Sequence, residues 1–139
     1  MKKNHSTYER ISLTEAQNIC KDMLFSFHTF CVKHGLVYYI MFGTLLGAVR
    51  HGDIIPWDHD VDTIMMRDEY NKLLQLSDLF QKETGYRIVY FENQKHIPVC
   101  FGRIINEKYS VSFEHCKNSY LDDSLYIDIF VLDKGPESD

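Results

Sequence analysis

Apolar residues recur at helical spacing over Ala16, Ile19, Met23, Phe27 and Phe30, the pattern of a helix with one face turned to a core. Ser12-Leu13-Thr14-Glu15 in front of them has the form of a capping box. Lys33-His34-Gly35 closes the helix with basic residues and a glycine. The period then changes. "LVYYIMF" (36–42) is a continuous apolar run and reads as a buried strand. Gly43-Thr44 turns the chain into a short helix, "LLGAVRHG", stopped by Gly52. After Ile54-Ile55-Pro56 the pattern predicts a second strand over 59–66, then a helix over 67–82 that packs Tyr70, Leu73, Leu74 and Phe80. Further strands are expected at 86–92, 97–105, 109–116 and 125–132, with turn-like "NQKH" and "NEK" between them. This order predicts an α/β (α+β) fold, a mixed sheet with helices packed on it.

Composition narrows the picture only in part. The 139 residues suit one domain, 1–139, large enough to bury a core. The chain stops soon after a strong strand with no closing helix, so it reads as the front part of a longer protein. A hydrophobic share of 45% and an aromatic share of 14% argue for a folded protein and against disorder. The net charge of −5 leaves no basic footprint, which argues against nucleic acid as a partner. No run of 18 apolar residues and no apolar signal core at the N-terminus predict a chain without a transmembrane segment, cytoplasmic and soluble. Cys20 and Cys31 fall eleven residues apart on one helix, about 16 Å, too far to bridge. With Cys100 and Cys116 they read as reduced, mostly buried thiols, and His115-Cys116 has no partner motif for zinc.

The chemistry lies in "FGTLLGAVRHGDIIPWDHDVDTIMMRDEY", Phe42 to Tyr70, where Asp58, Asp60 and Asp62 come at two-residue spacing. On a strand such residues share one face, about 6.6 Å apart at each step. Two like charges at that separation repel by ~2–3 kcal/mol at an effective dielectric of 20. Either a proton or a divalent cation relieves the strain. Hard oxygen ligands suit Mg²⁺ or Mn²⁺, ions that commonly also hold phosphates. An exposed acidic turn is opposed by the apolar neighbours Ile54, Ile55, Trp57, Val61 and Ile64. A calcium loop starting at Asp58 would place Thr63 where a glycine is required, and Pro56 where the entering helix should run.

Gly43 and Thr44, between a strand and a helix, are a candidate phosphate site, because a helix start presents free N–H groups and a positive dipole end. Arg50 and His51 end that helix, as solvent-facing charges or as phosphate ligands. Arg103 interrupts an apolar strand, so it calls for a phosphate or an aspartate as partner. Asp128 stands among Tyr126, Ile127, Ile129 and Phe130, where a lone carboxylate is improbable unless it binds something. Alternation puts Tyr126, Asp128 and Phe130 on one face of that strand.

With "FGTLLGAVRHGDIIPWDHDVDTIMMRDEY", "FGRI" and "YIDIFVLD" in this order, the chain from Leu36 to Asp133 resembles the LicD family, whose relatives include fukutin and the fukutin-related protein. The resemblance implies a nucleotidyltransferase (polymerase-β-like) fold. It implies transfer of a phosphorylated alcohol, such as phosphocholine or ribitol phosphate, from a CDP-linked donor to a glycan or lipid-linked glycan acceptor. By that match Gly43 and Thr44 form the phosphate-binding turn, Asp60 and Asp62 the metal pair, Asp58 an accessory acid and Asp128 the third carboxylate. Arg103 falls where relatives carry a basic residue. His59 departs from the run of acids common in relatives. The competing expectations are a nucleotidyltransferase that moves NMP to a small molecule, and a non-catalytic module with a structural ion.

Overall fold

The computed structural model describes residues 9–90, 92–93, 100–111 and 124–135. Helix α1 (Leu13–His34) opens on the expected capping box: Ser12 Oγ accepts from Glu15 N–H, and Glu15 reaches back to Ser12 N–H. Its buried face is Cys20, Met23, Phe27, Phe30 and Cys31. Strand β1 (Tyr39–Ile40), α2 (Phe42–Arg50), β2 (Asp62–Met66), α3 (Arg67–Gln75), α4 (Ser77–Thr84), β3 (Arg87–Val89), β4 (Gly102–Ser110) and β5 (Ser124–Leu132) follow.

The five strands form one mixed sheet in the order β1-β2-β5-β4-β3. Only β2 and β5 run parallel; the other pairs are antiparallel. The expected α+β class is therefore the observed one. One sheet face buries Met65, Ile104, Ile127 and Ile129 with Met23, Phe27, Leu73 and Phe80 of the helices. Each such side chain contributes roughly 1.5–3 kcal/mol by leaving water. Among the described residues the opposite face has one small buried apolar cluster, Val89 and Ile105 with Tyr126 against it. The two faces thus differ in burial: one is core, the other is far less covered.

Several expected boundaries are corrected. The apolar run 36–42 is not one strand: only Tyr39 and Ile40 pair with β2, and helix α2 begins at Phe42. Gly43 and Thr44 consequently lie inside the first turn of α2 and not in a turn before it. The strand expected over 59–66 begins only at Asp62, so Asp58 and Asp60 sit in irregular backbone ahead of it. The helix over 67–82 breaks at Leu76, whose φ of −97° and ψ of 9° leave helical geometry. "NEK" is not a turn: β4 runs through it with a register irregularity between Asn106 and Ser110. Asn106 is buried and its Oδ1 accepts from Lys108 N–H, so the side chain satisfies locally what the ladder gives up there. The strand expected at 86–92 is shortened to Arg87–Val89. The two strands expected at 97–105 and 109–116 overlap the single strand β4 only at 102–105 and 109–110, while 97–99, 112–116 and the pair His115-Cys116 lie outside the described residues. Strand β5 covers the expected 125–132 almost residue for residue.

Candidate active site

The sheet register sets three functional side chains in a row. Asp62 on β2 pairs with Asp128 on β5, and Asp128 pairs with Arg103 on β4. Paired residues project to the same face, and neighbouring strands lie about 4.8 Å apart. Asp128 therefore shares the open face with Tyr126 and Phe130, while Ile127 and Ile129 enter the core. Arg103 Nε donates to Asp128 Oδ1 at 2.7 Å, with both side chains largely shielded from water. The guanidinium also stacks over the Tyr126 ring, 4.0 Å from its centroid.

Helix α2 brings the opposite wall. Thr44, buried, accepts the Asp62 N–H on its Oγ1 at 2.9 Å, and Met41 N–H bonds Asp62 O at 3.0 Å. The start of α2 is thereby clamped to the start of β2. The N–H groups of Phe42, Gly43 and Thr44 have no acceptor within the helix, since its first intrahelical bond is Leu45 N–H to Met41 O. A Cβ at Gly43 would stand 2.6 Å from Asp58 Oδ2 and would push that carboxylate aside. Asp58 thus lies directly against the helix start. Gly47, one turn on, lets α2 press on the following loop, where a Cβ would meet Asp53 O at 2.6 Å and Ile55 N at 3.0 Å.

The loop that carries Asp58 is held by a residue that sequence reasoning missed. Gln17 Nε2 on α1 donates to Asp58 O at 2.7 Å and reaches Ile55 O and Pro56 O at 3.1 and 3.3 Å. Nothing in the local sequence marks Gln17, because its partners are about forty residues away. Asp58 also caps its own turn by accepting His59 N–H at 3.0 Å.

Of Asp58, Asp60 and Asp62 only Asp62 is in a strand, yet these carboxyls and that of Asp128 lie near enough to shift one another's ionisation. Burial raises the Asp60 carboxyl, and so do a hydrogen bond with Asp58 and the charges of Asp58 and Asp128, with His59 opposing. Burial, then the fields of Asp60, Asp128 and Asp58, push Asp62 up to about 6. Asp128 is also raised by burial, which outweighs the lowering pull of Arg103. For Asp60 and Asp62 these are the shifts expected of partly buried carboxylates near like charges. Among the described residues, no three His, Cys, Asp or Glu side chains already surround one point closely enough to ligate a metal. The donor chemistry is of the hard-oxygen kind that suits Mg²⁺ or Mn²⁺.

Arg50 and His51 are elsewhere. They sit at the C-terminal end of α2, about 10 Å along the axis from Gly43. Arg50 Nε approaches His51 Nδ1 at 3.4 Å, and the His51 ring stands edge-on to Trp57 at 6.1 Å. Cys20 and Cys31 are buried free thiols, whereas Cys100 is exposed. Among the described residues no helix is long and apolar enough to cross a membrane.

Comparison with known proteins adds the lineage. Residues 35–134 match the family described as LicD/FKTN/FKRP, nucleotidyltransferase domain. The lipopolysaccharide cholinephosphotransferase LicD of Haemophilus influenzae is 40% identical over 76 residues, 55% of this chain and 28% of that protein. An uncharacterized protein of Rickettsia prowazekii is 34% identical over 110 residues, 79% of this chain and 37% of its own. The human ribitol 5-phosphate transferase FKRP is 50% identical over 42 residues, 30% of this chain and 8% of that protein. The matches thus span well under half the length of each of these relatives.

Proposed function

We propose, from the premise that the chain belongs to the LicD family, that it carries the donor site of a transferase moving a phosphorylated alcohol from a CDP-linked donor to a glycan hydroxyl. The observation that carries this reading is the register that sets Asp62 beside Asp128, with the start of α2 clamped to Asp62 through Thr44 and Asp58 lying against Gly43. Two relatives, a cholinephosphotransferase and a ribitol 5-phosphate transferase, support the class of group transferred.

Asp60 and Asp62, with Asp128, would hold Mg²⁺ or Mn²⁺, whose hard oxygen preference and charge suit a diphosphate-bearing donor. The protein's own groups do the rest in this reading. The Gly43 and Thr44 N–H groups donate to phosphate oxygens at the helix start. Arg103, kept in place by Asp128, adds positive charge where negative charge develops. Asp58 orients the acceptor hydroxyl and takes its proton. The acceptor oxygen forms a bond to the phosphorus that carries the alcohol, the bridging P–O bond breaks, and CMP leaves. Arg50 and His51, a helix length away, make no contact with a phosphate held at Gly43 in this scheme.

Chromatography of CMP released from CDP-choline or CDP-ribitol, with and without a glycan acceptor, tests the proposal. Acceptor-dependent CMP release is expected, with loss of at least a hundredfold in Asp60→Asn, as for removal of a group acting only in the transition state. Pyrophosphate release from a nucleoside triphosphate, with no CMP from either diphosphate donor, would replace it with NMP transfer.

A further inference from the structure

Three phenylalanines line the open face next to the carboxylates. Phe130 follows Asp128 by two residues on β5 and so shares its face, about 7 Å further along the strand. Phe101, just before β4, lies 4.4 Å from Phe130 between ring centroids, with the planes tilted by 34°. Phe42, at the head of α2, meets Phe130 edge-on at 5.3 Å. The wall therefore joins the same two elements that present Asp128 and the Gly43 helix start.

The fold does not need these rings for its core. None of the three belongs to either buried apolar cluster. Phe42 is 59% exposed, yet it is the one non-glycine residue among those described with positive φ, 49°. Such a conformation costs on the order of 1–3 kcal/mol and persists only where the surroundings impose it. Here it holds an apolar ring in water at the mouth of an acidic site.

Phenylalanine offers no hydrogen bond to a hydroxyl, but its ring face attracts cations, quaternary ammonium groups above all. The same cluster already engages a cation, since the Arg103 guanidinium lies 4.0 Å from the Tyr126 centroid and 6.0 Å from that of Phe101. The three rings offer a neutral polyol no hydrogen-bonding partner, whereas a quaternary ammonium group gains from their faces what water does not give it. We propose that Phe42, Phe101 and Phe130 form the subsite for the alcohol end of the donor and select a quaternary ammonium alcohol over a polyol. This rests on the donor reading given above.

Calorimetry in Mg²⁺ with four ligands tests it: CDP, CDP-choline, CDP-ribitol, and the CDP ester of 3,3-dimethylbutanol, which has the shape of choline without its charge. CDP-choline is expected to bind roughly tenfold more tightly than the isostere and the ribitol ester. Phe42→Leu and Phe101→Leu should bring the three esters to within about twofold while leaving CDP affinity unchanged. Thermal melts identify any variant that fails to fold, and each substitution is read independently of the other. Equal binding of the three esters by the parent chain, or a preference that survives both substitutions, overturns the inference while CDP binding stands. Failure of CDP itself to bind overturns the donor reading together with the subsite.

Discussion

Arg103 and Asp128 illustrate how a single pair couples stability to chemistry. Their 2.7 Å contact is largely shielded from water, so removing one partner leaves the other buried and unpaired. Arg103→Leu should destabilise the fold by roughly 3–5 kcal/mol, and adding Asp128→Asn should restore part of that loss. Urea unfolding of the two single variants and the double variant measures it; additive losses would mean that the pair is not the unit. Asp62 presents the opposite case. Burial and neighbouring carboxylates lift its folded value to about 6, above the roughly 3.9 of an unfolded Asp. The protonated form therefore favours folding, so the stability this group allows is full below about pH 4 and is lost as pH rises through about 6. Without metal at pH 7.5, Asp62→Asn should melt roughly 2–6 °C above the parent, and the two should converge near pH 4. A melt far lower for the variant would make Asp62 a structural residue. These residues were legible as odd charges in apolar strands, and Arg103 found one of the two partners that its sequence position called for. Gln17 was not legible, because its role depends on a loop that only the tertiary fold brings to it.

At the scale of elements, α2 is a short helix held at both ends by contacts that tolerate little change. Gly47→Ala would drive a Cβ into the backbone at Asp53 and Ile55, and backbone cannot swing aside as a side chain can. A loss of about 1–3 kcal/mol is expected, measured by urea unfolding; a neutral Ala would show that the loop gives way freely. Thr44→Val keeps the shape but strands the Asp62 N–H, at a cost of about 1–3 kcal/mol. Gln17→Ala should cost less in stability, near 1 kcal/mol, and should speed amide exchange in residues 55–58, where its three acceptors lie. Helix α1 and strand β5 were readable because their periods and caps agree with their burial. The segment 36–42 was misread because a continuous apolar run does not say whether it pairs. Here Met41 bonds Asp62 and the chain enters a helix directly. Likewise "NEK" carries turn-forming residues, but Asn106 turns inward and the ladder continues past it.

Across the whole molecule, the sheet separates a core face from a face that carries Asp62, Asp128, Arg103 and the phenylalanines. Class and strand content were open to sequence reading, since alternation and helical period are local. The strand order β1-β2-β5-β4-β3 was not, because it rests on pairings between distant segments. That order is what sets β5 between the Asp62 strand and the Arg103 strand. The three aspartates are not aligned as their spacing suggested. Asp58 and Asp60 arrive through a loop pinned by Gln17 and fitted against Gly43, not along one strand face. In the proposed reading these carboxylates are a donor site completed by a divalent cation. Calorimetric titration of CDP into the chain in Mg²⁺ and in EDTA, repeated with Asp60→Asn, tests it most directly. The account predicts binding at least tenfold tighter with Mg²⁺ for the parent chain, and a variant indifferent to the ion. Equal CDP affinity in Mg²⁺ and in EDTA for the parent chain would contradict it.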